Sequence, residues 1–214
     1  MVTPEFLMEG AHYALEQCGR LLHNSITLYQ NESYASATVL AALAREELGK
    51  AIELRSMRRE ALAGATFTAK DIKRRCGTNH IQKQERGQTS IVLRDVPLNE
   101  LLGNLHDPQS DEYQRADARL QEIVAEQASR APAERHQARM SSLYVDPDDT
   151  GTAWNRPQLQ TQDDAHIFLT DAINDYSVQY DHYQRGNVAG DGKELYDALQ
   201  KWGNRPYLPE PKWP

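Results

Sequence analysis

Residues 34–54 read YASATVLAALAREELGKAIEL. With Leu40 at zero on a helical wheel, Leu43, Glu47, Ala51 and Leu54 fall within about 60° of it. The stretch therefore reads as a helix whose apolar stripe carries a carboxylate near its centre. Lys50 and Val39 flank the stripe, and Glu46 lies just beyond Lys50. An unpaired buried carboxylate costs several kcal/mol or changes its pKa, so Glu47 demands a partner. Lys50, three residues on, reaches Glu47 or Glu46, and a second helix can add an Arg or a His. Two readings stay open: a buried ion pair that sets helix register, or a catalytic or ligand-positioning cluster.

Working outward, Thr3-Pro4-Glu5 has the form of a helix start with proline in the first turn. A helix is expected from there to residue 30, with Phe6, Ala14, Leu15, Leu21, Leu22 and Ile26 among its apolar positions. Asn31-Glu32-Ser33 is a short break before the helix beginning at Tyr34, which is expected to run to Ala63, with Gly64 ending it. So short a link implies an antiparallel pair. Thr68 caps a third helix expected to reach Glu85, and Arg86-Gly87-Gln88 breaks that pattern. Residues 89–110 form an irregular insertion in which SIVLRDV reads as a short strand or a buried loop. A long polar helix is expected from Ser110 to Tyr144, broken or kinked at Pro132. After the turn-rich VDPDDTGTAWNRP, a helix starts at Asp163. A short helix at 193–202 and the extended tail RPYLPEPKWP complete the chain. The fold class is all-α: an antiparallel helical bundle over 1–185, then a short helix and Pro-rich tail over 186–214.

The length of 214 residues suits one domain with an appended element, and the net charge is −7. Cys18 and Cys76 have no metal-ligand spacing and read as buried free thiols. No segment is apolar for eighteen residues and no leader pattern opens the chain, so a cytoplasmic protein that avoids membranes is expected. Charge is uneven: residues 1–86 carry 12 Lys and Arg against 10 acids, and the remainder carry 12 against 21. Binding of nucleic acid by the whole surface is disfavoured, whereas a local basic patch can hold a phosphate backbone.

Two arginine–histidine pairs stand out, Arg75 with His80 and Arg130 with His136, and Lys83 follows His80 by one turn. Histidine can move a proton and arginine can hold a scissile phosphate, so either pair has the capacity to cleave RNA without metal. The ribose 2′-hydroxyl supplies the nucleophile. A two-metal bundle would need Glu-x-x-His on two helices, and no such pair of motifs occurs. Asp163 and His166 read as a cap and an ordinary histidine. No metal and no cofactor are expected.

EELGK after an Ala-rich helix, His80 with Lys83, and RMSSLYVDPDDTGTAWNRP together resemble the AbiV family over residues 10–185. These are bacterial abortive-infection proteins acting against phage, placed among HEPN-type helical domains, many of which are dimeric ribonucleases. The family pattern falls on Glu46, Glu47, Gly49 and Lys50, then on His80 and Lys83. It continues over Arg139, Leu143, Tyr144, Val145 and Asp146, with Trp154 and Pro157 following. HEPN nucleases resemble one another in an Arg-x(4–6)-His motif, which both pairs here match. Gly49 has a physical reason, since a side chain there would block close helix approach or a ligand.

The resemblance implies an antiphage effector on a HEPN-like bundle, a homodimer with an RNA-binding cleft. His80 would act as acid or base, and Arg75, Lys83 or Arg139 would neutralise phosphate. Glu47 would pair Lys50 or orient a basic residue. Glu46, Tyr144 and Asp146 would shape the rim. The alternative is a non-catalytic toxin or binding module that blocks translation by holding RNA, a ribosome or a phage protein.

Overall fold

Helix α1, Pro4–Gln30, begins as its sequence demands. The Thr3 hydroxyl accepts from the Phe6 amide at 3.2 Å, and Pro4 takes a first-turn position whose amide has no helical partner anyway. Asn31 closes the helix, and Glu32, at φ 59°, turns the chain in the left-handed region. Helix α2, Tyr34–Leu62, then packs back along α1, giving the expected helix pair. The computed structural model describes residues 1–77, 80–87, 110–147, 150–157 and 160–184.

The α1–α2 seam is made of small side chains. Ala11, Ala14, Ala37, Ala41, Ala44 and Ala51 are buried with Leu7, Leu15, Leu22, Leu48 and Leu54. Alanine lets two helices approach closely, and each fully buried leucine contributes about 1.5–3 kcal/mol relative to an exposed one. Ser25 donates to the Ala37 carbonyl at 2.7 Å, which satisfies its hydroxyl inside the seam. Phe6, expected on the apolar face, is instead exposed and lines a groove between the two helices.

Helix α2 is the hub of the bundle. It touches α1, α3 (Ala69–Cys76), α4 (His80–Arg86), α5 (Asp111–Leu143) and α6 (Gln162–Gln184). A helix packed on that many sides has no single apolar stripe, and this corrects the expectation for Glu47. The buried run Ala41, Ala42, Ala44, Arg45, Glu46, Leu48 and Gly49 wraps most of the circumference. Glu46 is the buried carboxylate of the two, and Glu47 is only partly covered.

Three other expectations change. The third helix is divided at Gly77, where α3 ends and α4 begins at His80; Thr68 caps α3 with a capping box through Asp71. Helix α5 runs through Pro132 as one helix. Proline removes one backbone bond there, at about 3 kcal/mol, and the packing of α5 on α2 and α4 offsets it. Residues after α5 form a small antiparallel ladder, with Asp146 opposite Asn155 and Pro147 opposite Trp154. SIVLRDV, the helix expected at 193–202 and the Pro-rich tail lie outside the described residues.

Helix α6 closes the core with Ala165, Leu169, Ala172, Ile173, Tyr176 and Tyr180. It also delivers Asp175, fully buried, to Arg45 of α2; the arginine donates to one carboxylate oxygen from Nε at 2.9 Å and Nη2 at 2.8 Å. Among the described residues no helix is long and apolar enough to cross a membrane.

Candidate functional site

The site is built where α4 crosses α2. Two glycines let the backbones meet. A Cβ at Gly49 would overlap the Lys83 carbonyl, and one at Gly87 would come within 2.6 Å of the Arg45 carbonyl. The reason expected for Gly49 therefore holds, and Gly87, read from sequence only as a break, is its counterpart. Gln84, fully buried, donates to the Ala42 carbonyl at 2.7 Å and pins α4 to the hub.

This crossing brings His80 and Lys83 over Glu46. His80 Nδ1 lies 2.7 Å from Glu46 Oε2, and Lys83 Nζ lies 3.4 Å from the same oxygen. Helix α5 adds Arg139, whose Nη1 is 3.5 Å from Glu46 Oε1. It also adds His136, whose ring faces that of His80 at 6.2 Å between centroids and 16° between planes. His136 and Arg139 are three residues apart, so one face of α5 carries both. Four basic side chains, three of them paired with Glu46, therefore share a site with one buried carboxylate, which is tolerable only because it is so paired.

Chemically, a carboxylate only accepts. The Nδ1 of His80 therefore carries the proton of that bond, which in the neutral ring leaves the lone pair on Nε2. The His80 side chain is 43 % exposed, so a solvent-borne group can reach it. Glu46 Oε1, which is ion-paired with Arg139, and the Arg139 Nε and His136 Nδ1 are buried without a hydrogen bond. Buried polar atoms are normally satisfied, and their clustering here marks a place for a polar occupant.

The sequence-derived candidates divide in two. Glu46, His80, Lys83, Arg139 and His136 come together. Glu47 and Lys50 pair with each other at 3.2 Å and line the groove of about 510 Å³ between α1 and α2, with Phe6, Tyr13 and Leu54. Arg75 points to other partners: it donates to Glu60 at 2.8 Å and to Glu53, and its guanidinium lies 5.6 Å from the Phe67 ring centre. The hydrogen bonds it donates to Glu60, and then to Glu53, hold its pKa above the ordinary arginine value. Arg86 joins the same Glu53 at 3.0 Å. Arg75 is thus a strut between α3 and α2. Arg130 lies on α5 with its side chain outside the described residues. Tyr144 follows α5 half-exposed, and Asp146 is exposed in the ladder, so neither joins the cluster.

Three charged residues that sequence reasoning passed over support the site from behind. Arg45 precedes Glu46, Arg135 precedes His136, and Asp175 attracts both arginines. Burial, then the nearby Arg45, pushes Arg135 down to about 10, so it remains charged at neutral pH. The available signal was position alone, since each arginine directly precedes a site residue. Cys18 and Cys76 are free and buried, and burial pushes the Cys76 thiol up to about 11.

Among families of known proteins, the HEPN family described as AbiV matches residues 6–176. No curated protein and no solved structure matches the chain.

Proposed function

The chain belongs to the AbiV family, which suggests a role in abortive-infection defence, and from that premise we propose that it cleaves RNA without a metal ion. The observation that carries this reading is His80 held by a buried carboxylate, with its second nitrogen available and two cations beside it. Glu46 orients the ring and stabilises the imidazolium formed when Nε2 takes the 2′-hydroxyl proton. Lys83 and Arg139 offset charge on the scissile phosphate. The 2′-oxygen attacks the adjacent phosphorus within the substrate. A homodimer acting on RNA in the cytoplasm belongs to the same reading, through the likeness to HEPN-type ribonucleases.

The test is cleavage of total cellular RNA by purified protein, with and without EDTA. Cleavage is expected to be indifferent to EDTA and to fall about 10²–10⁴-fold in His80→Ala. Absence of cleavage by the unaltered protein, even with extract from phage-infected cells, rejects the reading. One observation favours a non-catalytic binding module instead: Lys83 and Arg139 are each only 11 % exposed and both face Glu46. That reading predicts retention of RNA or ribosomes with the RNA left intact.

A further inference from the structure

His80 and His136 lie on different helices, 56 residues apart in sequence, and their rings meet at 6.2 Å. The two differ in one respect. His80 has a carboxylate on Nδ1, whereas the Nδ1 of His136 is buried with no hydrogen bond. A carboxylate stabilises an imidazolium, which suits the ring that takes a proton. The ring without one is better suited to giving a proton away.

We propose that His136 is the second proton carrier of the site, and that RNA cleavage is shared between His80 as base and His136 as acid. This inference rests on the ribonuclease reading given above. His80 Nε2 takes the proton of the 2′-hydroxyl while that oxygen bonds to phosphorus. The bond from phosphorus to the 5′-oxygen breaks, and the His136 imidazolium passes its Nε2 proton to the departing oxygen. The products are a 2′,3′-cyclic phosphate and a 5′-hydroxyl, and water afterwards returns each ring to its starting state. In such an in-line displacement the attacking and leaving oxygens flank the phosphorus, with a proton carrier about 3 Å beyond each. Stacked rings 6.2 Å apart can each set a nitrogen within hydrogen-bond reach of one phosphodiester, approaching its two oxygens from the side rather than along a single line. Arg139, one turn from His136, brings a guanidinium to the same cluster, a positive charge beside the phosphate.

The experiment uses two versions of one short RNA, identical except at a single cleavable linkage. One carries the ordinary 5′-oxygen and the other a bridging 5′-sulfur, which leaves without needing a proton. With the unaltered full chain, the pH–rate profile on the oxygen substrate is expected to be bell-shaped, and its alkaline limb is expected to vanish on the sulfur substrate. His136→Ala and His136→Asn are each expected to lose about 10²–10⁴-fold on the oxygen substrate and to cleave the sulfur substrate at near the unaltered rate. His80→Ala is expected to be slow on both. The inference is overturned if the alkaline limb persists with sulfur, or if both His136 variants slow the two substrates equally or neither. If the unaltered chain cleaves neither substrate, the ribonuclease reading itself fails and takes this inference with it.

Discussion

Glu46 and Glu47 are neighbours in the chain with different work to do. Glu46 is surrounded by His80, Lys83 and Arg139, while Glu47 shares a partly open groove with Lys50. Neutralising Glu46 strands two nearly buried cations, so Glu46→Gln is expected to lower stability by about 3–5 kcal/mol. Glu47→Gln removes only a partly exposed pair and is expected to change stability by less than about 1 kcal/mol. Urea denaturation of the two variants side by side measures the difference, and equal effects would contradict this assignment. The sequence makes both carboxylates visible as candidates but ranks them wrongly. A helical wheel finds the direction of one neighbour, and α2 has neighbours on nearly every side. The histidines were legible as residues; that His80 and His136 belong together was not, because their contact depends on how α5 docks.

At the scale of elements, the crossing of α4 on α2 decides whether the site exists. In an open helix, replacing glycine by alanine stabilises by about 0.5–1 kcal/mol. Gly49→Ala is expected to do the reverse, destabilising by about 1–3 kcal/mol, because the methyl meets the Lys83 carbonyl. Thermal unfolding gives the sign. Should RNA cleavage be established, it is expected to fall together with stability, since α4 carries His80 and Lys83. Gly49 was legible in sequence because glycine within a helix needs a reason. The break expected at Pro132 does not occur, for a related cause: local propensity disfavours proline there, and the tertiary packing of α5 overrides that preference. The division of α3 from α4 at Gly77 was hidden by polar composition on both sides of it.

Across the whole molecule, Arg45 and Asp175 tie the hub to the last described helix, 130 residues later in the chain. Asp175→Asn leaves Arg45, 1 % exposed, without its countercharge. Stability is expected to fall by about 3–5 kcal/mol, read as a lowered midpoint in chemical denaturation. A midpoint unchanged by the substitution would show that solvent or another acid compensates. The helical class and the α1–α2 pair were legible because short links and capping signals are local. The arrangement around α2 was not, because it rests on pairs such as this one that no local pattern announces. The hub also sets a timetable. A ribosome releases Glu46 early, His80 and Lys83 next, and His136 and Arg139 only after some fifty further residues. Asp175 comes later still. During synthesis the emerging chain can fold its first two helices while the cluster has only Glu46 of its five members. On the proposed reading, in which the assembled cluster cleaves RNA, the message being translated is spared by the order of the chain itself until most of it has been read.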